Sequence, residues 1–141
     1  MWLLDTDHVS LILRQDRKVK AALAQHAPDT RVGIITLHEV FNGWIGSLNQ
    51  PNSDRTQLIW RYHQLWLASE FFTTIPILEF DERAYDSYDQ LINQYPSLRK
   101  KRLQQDMRIA AIALANGATV VTRNRRDFEL VPGLAIEDWS N

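Results

Sequence analysis

An α/β fold with a mainly parallel central sheet is predicted by three features of this 141-residue chain. Short apolar runs recur along it without polar alternation, as in WLL, VGII and ATVV; strands buried on both faces read this way. Between these runs lie segments whose apolar residues follow the helical period, the clearest being LQQDMRIAAIALANG at 103–117. Strand and helix patterns alternate, and alternation requires parallel strands joined by helices that cover both faces of the sheet. The opening LLDTD raises the functional question, because an apolar strand that should sit in the core stops on aspartates.

The elements follow in order. WLLD (2–5) reads as a strand ending on Asp5, and VSLIL (9–13) and VKAALAQHA (19–27) read as helices, the second closed by Pro28 and Asp29. RVGIIT (31–36) is the next buried strand. LHEVFNGWIGSL then places Leu37, Phe41, Trp44, Ile45 and Leu48 at helical spacing. NQPNSD (49–54) is a turn-rich break before a long helix over 55–71. A short strand is expected near TTIPIL and a helix over 82–94, with Pro96 breaking the chain after it. The Ala-rich helix 103–117 closes on Asn-Gly as a C-cap. ATVVT (118–122) is a strand, RNRRDF a polar turn and LAIED (134–138) a final strand. There is no repeat, low-complexity tract or interdomain linker, so residues 1–141 are expected to form one domain.

Bulk composition excludes several classes. A chain of this length buries roughly 68–70% of its unfolded surface, and 45% hydrophobic with 23% charged residues is ordinary for a globular protein. The net charge of −1 gives no overall signal for nucleic acid, but the charge is unevenly spread. RKKR at 99–102 with Arg108, Arg123, Arg125 and Arg126 makes the C-terminal third basic, after an acidic stretch holding Asp81, Glu82, Asp86 and Asp89. Such a patch can steer a polyanion; as a solvated helix face, RKKR needs no ligand. The absence of cysteine excludes disulfides, thiolate zinc sites and a cysteine nucleophile. Met1–Leu4 is too short for a signal segment and no stretch has the length of a membrane span, so a soluble cytoplasmic protein is expected.

In this frame the acids gather at strand ends. Asp5 ends the first strand, Glu39 falls in the first helical turn after the second, Asp106 lies near the start of the Ala-rich helix, and Asn124 and Asp127 follow strand 118–122. Open parallel sheets bind ligands beyond the carboxyl ends of their strands. Taken singly, Glu39 and Asp106 have a structural explanation in helix capping and the helix dipole, and Asp127 has one as a turn residue. Together they would repel, and burying unpaired carboxylates costs several kcal/mol per ion. A divalent cation neutralises them most simply, and an all-oxygen donor set favours Mg²⁺ or Mn²⁺ over zinc. The histidines at 8, 26, 38 and 63 show no paired metal spacing and are expected to be surface or helix-flanking residues. His8 and His38 lie near the acids as candidate substrate contacts.

With these residues placed, the chain resembles the PIN-domain proteins, specifically the VapC-type toxins of bacterial toxin–antitoxin pairs. The resemblance rests on LLDTD, VGIITLHEVFNGW, DMRIAAIALANGATVVTRN and RDFELVPGLAIEDW, which run in order from Leu3 to Trp139 and leave 49–98 unmarked. It implies a three-layer α/β/α fold and an Mg²⁺- or Mn²⁺-dependent endoribonuclease that cleaves RNA with metal-activated water. The catalytic and metal-holding positions it implies are Asp5, Glu39 and Asp106, with Asn124 and Asp127 sharing the fourth place. Thr6 and Thr122 match the small polar residues that orient such a site. Arg99, Lys100, Lys101, Arg102, Arg123, Arg125 and Arg126 become candidates for holding the RNA backbone. A homodimer and a cognate antitoxin are implied as partners. Position 7 departs from the family's more frequent Asp-Thr-Asn opening, since here it is Asp7.

Two other readings fit part of the sequence. An apolar strand followed by Asp-x-Asp-x-Val is similar to the haloacid-dehalogenase phosphatases, with Asp5 as nucleophile and Asp7 as acid/base, although RNRRD after ATVVT lacks the Gly-Asp that family places there. A non-catalytic α/β module that binds a partner would use the acids only as caps. LIWRYHQLWLASEFF (58–72) bears on partners, having Leu58, Tyr62 and Leu65 on one face and Ile59 and Trp66 on another. A helix apolar all round is buried on several sides, so most of this surface is expected in the core. The surplus, with Trp44 and Trp60, is available for a dimer face or an antitoxin groove.

Overall fold

Leu3 and Leu4 divide the molecule between them. Both lie in the first strand, β1 (Trp2–Leu4), and both are fully buried. Successive strand residues point to opposite faces, so Leu3 joins a core with Met107, Ile109, Ala110 and Phe128, while Leu4 joins one with Val9, Ile12, Val40 and Phe72. Val120 and Val121 repeat the division on a neighbouring strand. A sheet with a core on each face is the middle layer of three.

The computed structural model describes residues 1–141. After β1 come α1 (Thr6–Leu13), α2 (Arg17–His26), β2 (Thr30–Gly33), α3 (Ile34–Leu48) and α4 (Arg55–Thr73). Then follow β3 (Ile77–Leu78), α5 (Glu82–Gln94), α6 (Gln104–Asn116), β4 (Thr119–Val121), α7 (Arg125–Phe128) and β5 (Ile136–Glu137). The five strands are ordered β3-β2-β1-β4-β5 and every pairing is parallel. From central β1 the chain moves outward to β2 and β3, then returns to the other side for β4 and β5. The order therefore reverses between β1 and β4, whose register pairs Leu4 with Val121. That is where a parallel sheet opens a crevice at its carboxyl edge.

Local chemistry sets the ends that matter. Asp5 stands one residue beyond β1 as the N-cap of α1, its carboxylate accepting from the Thr6 N–H at 2.7 Å. Asp54 and Gln57 form a reciprocal capping box at the start of α4. Gly117, at φ 62°, ends α6 in the left-handed region, and the following Ala118 N–H reaches back to the Ala113 carbonyl.

Several expectations need correction. The strand expected over 31–36 stops at Gly33, and Ile34 to Thr36 form the first turn of α3. The reason is packing: Gly33 is buried under α6, where a Cβ would meet the Ile112 Cδ1 at 3.1 Å, and Ile35 joins the α6-side core from a helix. Glu39 accordingly lies in the second turn of α3, where no free backbone N–H is left to cap. Within RNRRDF, expected as a turn, Arg125–Phe128 form a short helix. The largest difference is α4, whose buried residues are only Ala68 and Phe72. Ile59 is 58% exposed, Tyr62 57% and Trp66 55%, so most of its apolar surface lies outside the core. The apolar residues are spread around the helix, and the molecule packs α4 chiefly against α3, with a smaller contact to α1.

This division of core from surface predicts opposite outcomes for two truncations. Leu4→Ala should cost about 2–5 kcal/mol in urea unfolding, whereas Ile59→Ser should change the stability of the isolated chain by less than about 0.5 kcal/mol. Equal costs would contradict the placement of α4.

Candidate active site

The loops after β1 and β4 meet at the switch point, and with them come the acids. Asp5 is only 5% exposed, and its second oxygen accepts from the Thr122 hydroxyl at 2.8 Å. Thr6 donates its hydroxyl to Glu39 at 2.7 Å, joining the start of α1 to α3. Asn124, just past β4, donates its amide to Asp106 and to Asp127, each at 3.1 Å. Neutral donors thus stand between like-charged groups, which is how acids can be held close without a cation.

The structure brings Asp5, Glu39, Asp106, Asn124 and Asp127 to one edge of the sheet, with Thr6 and Thr122 between them. Asp106 lies in the first turn of α6, but its carboxylate turns to Asn124 and no side chain caps that helix. Capping therefore accounts for neither Glu39 nor Asp106. Asn124 points its amide nitrogen at the acids and acts here as their link.

Electrostatics show how unfavourable the gathering is. Burial, then the charges of Asp7 and Asp106, push Asp5 from the ordinary 3.8 up to about 7, against the opposing hydrogen bonds from Thr122 and Thr6. Burial, then Glu39, Asp127 and Asp7, push Asp106 up to about 6. Asp127 moves the other way, chiefly because Arg102 donates to it at 2.9 Å. Arg102 is thereby committed to the site's own charge balance. Arg99 donates to the Ile92 carbonyl from an exposed position, and Arg125, exposed as well, faces Glu129 at 3.5 Å. Lys100, Lys101, Arg123 and Arg126 are exposed.

Sequence reasoning named Asp7 and His8 without finding their contacts. Asp7 accepts from the Arg123 backbone N–H at 3.0 Å and binds the ring of His8 at 2.7 Å. His8 is fully buried within α1, which corrects its expected place as a surface or helix-flanking residue and removes it as a substrate contact. The only signal at position 7 was the extra charge, and nothing local foretold the partner of His8. A cavity of about 350 Å³ opens beside the acids, running from Thr6 and Glu39 past Arg14 and Gln64 to Trp44 and Trp60.

The PIN domain family profile matches residues 3–134. This chain belongs to the PIN domain family. Among curated proteins it is similar to the tRNA(fMet)-specific endonuclease VapC of Salmonella typhimurium, 33% identical over 75 residues, or 53% of this chain and 57% of the relative. It is also similar to Ribonuclease VapC2 of Rickettsia felis, 32% identical over 72 residues, 49% of this chain and 52% of the relative. The chain thus spans about half the length of the curated relatives it matches. Its fold is similar to that of DNA-bound VapBC from Salmonella typhimurium, at TM-score 0.78 and 25% identity, covering 98% of this chain and 97% of that one. VapBC2 from Rickettsia felis, bound to a promoter DNA fragment, shares the fold at TM-score 0.75 and 23% identity over 98% of both chains. PIN membership, with Asp7 already engaged by His8 and Arg123, displaces the phosphatase reading.

The donor set of a PIN-domain chain can be tested against the divalent cation expected for it. No three histidine, aspartate or glutamate side chains form a closed ligand cluster as they stand. The chemistry nevertheless fits a hard dication: the donors are carboxylate oxygens, and Asp5 and Asp106 are desolvated acids short of positive charge.

A stability test follows from the sign of these shifts. Between the ordinary 3.8 and about 7, folded Asp5 keeps a proton that the unfolded chain has released, so stability falls as pH rises through that window. The metal-free melting temperature should drop across it, and Asp5→Asn should be the more stable protein above it, by at most about 4 kcal/mol. A wild-type midpoint insensitive to pH in this range would refute the assignment.

Proposed function

We propose that this chain is a metal-dependent endoribonuclease, the toxin of a toxin–antitoxin pair. The observation that carries this reading is the meeting of Asp5, Glu39, Asp106 and Asp127 from separate segments at the switch point of a PIN-domain sheet. Mg²⁺ or Mn²⁺ held by Asp5, Glu39 and Asp106, with Asp127 and the Asn124 amide alongside, would supply charge neutralisation at the scissile phosphate and activate water.

The chain's own residues prepare the rest. Thr122 fixes one oxygen of Asp5 and the Thr6 N–H the other, so the carboxylate is held on both sides. Thr6 orients Glu39 through its hydroxyl. Asn124 keeps Asp106 and Asp127 adjacent, and Arg102 offsets the charge of Asp127. Glu39 and Asp106, both half-buried, are the groups placed to take a proton from an attacking water. Lys100, Lys101, Arg123 and Arg126 are left to contact RNA phosphates, which such exposed cations hold without reading sequence.

The exposed apolar face supports the proposed partners. Ile45, Leu58, Ile59, Trp60, Tyr62 and Trp66 are all at least 40% exposed, a concentration of large apolar side chains on α4 and the neighbouring α3. The solved VapBC structures are complexes with an antitoxin. We assign this face to the antitoxin or to a second toxin copy. Ile59→Ser with Trp66→Ser should weaken antitoxin co-purification or halve the mass measured by light scattering; if both stay unchanged, the face serves neither partner.

For the activity, the purified chain is incubated with total cellular RNA and Mg²⁺ or Mn²⁺. Cleavage is expected, to be abolished by EDTA and lowered at least about a hundredfold in Asp5→Asn or Asp106→Asn, since the cation's charge stabilisation is worth several kcal/mol. Undiminished cleavage by either variant would reject the scheme.

A further inference from the structure

His8 plays no part in the chemistry above, yet it is buried directly behind it with both ring nitrogens engaged. Its Nδ1 lies 2.7 Å from the Asp7 carboxylate, and its Nε2 lies 3.2 Å from the backbone nitrogen of Trp139. A backbone N–H can only donate, so Nε2 accepts and the ring proton sits on Nδ1, where Asp7 receives it. The other oxygen of Asp7 accepts from the Arg123 N–H at 3.0 Å. Arg123 opens the segment that carries Asn124 and Asp127, while the adjacent Thr122 holds Asp5 at 2.8 Å. A continuous strap therefore runs from the Trp139 backbone through His8 and Asp7 to the Arg123 backbone.

The far end of the strap is itself anchored. The Trp139 indole donates to Glu137 at 2.9 Å, and the same carboxylate oxygen accepts from the Trp2 indole at 3.0 Å. The His26 ring stacks against Trp139 with centroids 5.3 Å apart. Residues with no role at the acids thus fix the frame against which Asp7 is set.

We propose that His8, tethered by Trp139, is a positioning residue that presses Asp7 onto the Arg123 backbone and so sets Asn124 and Asp127 against Asp106. Its kinetic consequence rests on the nuclease reading; its structural consequence does not. Groups that orient a site's own ligands are commonly worth about 10–100-fold in activity. A histidine that merely filled the core would act through stability alone and would be indifferent to what stands at position 7.

Two measurements on the full chain decide the matter. In the metal-free protein, amide exchange at Arg123 should be about tenfold faster in His8→Leu than in wild type, with His8→Asn, which restores a donor towards Asp7, recovering most of the protection. In RNA cleavage, His8→Leu should lower kcat about tenfold with KM unchanged, and should cause no further loss when added to Asp7→Asn. Should His8→Leu fail to fold, Trp139→Phe, which keeps the backbone donor but frees the indole anchor, should still speed exchange at Arg123. Unchanged exchange at Arg123, or a His8→Leu loss that persists undiminished in the Asp7→Asn background, would overturn the proposal. If exchange changes while wild type and Asp5→Asn cleave RNA equally little, the nuclease reading fails and the strap stands.

Discussion

Mutual repulsion among acids held at one end of a parallel sheet is the constraint on which the rest of this structure depends. Desolvated carboxylates are costly, and the cost shows in the pKa values of Asp5 and Asp106, pushed up to about 7 and about 6. The surroundings tolerate them because hydroxyl, amide and guanidinium donors from Thr6, Thr122, Asn124 and Arg102 are interleaved with the acids. Those donors order the group without removing its charge. What remains is a site held short of positive charge.

Holding such a group takes rigid support, and both cores supply it. Leu3 and Leu4 commit β1 to the two faces at once, so the residue that follows has no freedom to turn its carboxylate elsewhere. The early end of β2 has a similar effect on the second acid. Because Gly33 is buried beneath α6, the chain turns into α3 sooner, and Glu39 comes forward on that helix to meet Thr6. Packing remote from the acids thus determines which of their oxygens face each other.

Much of this was legible in the sequence for physical reasons. Doubly buried strands leave continuous apolar runs, and the Ala-rich helix ended on a glycine whose left-handed conformation is now seen at Gly117. The helices expected over 82–94 and 103–117 were placed to within a residue, whereas those expected from Val9 and Val19 begin earlier, at Thr6 and Arg17 behind Asp5 and Asp16 caps. The strand over 31–36 was misjudged because Val-Gly-Ile-Ile-Thr suits a buried strand and a buried helical turn alike. The long helix over 58–72 was misjudged for a different reason: apolar composition tells how much surface seeks cover, and not whether this chain or another provides it.

The order of residues by itself determined the alternating elements, the acids that end them and membership of the PIN family, since each is written in periodicity and short motifs. Only the tertiary structure decided how those acids are paired, that Arg102 is spent on Asp127, that α4 faces outward and that His8 lies buried between Asp7 and Trp139. These are contacts between residues far apart along the chain. Their existence depends on strand order and helix placement, and local composition carries no record of either.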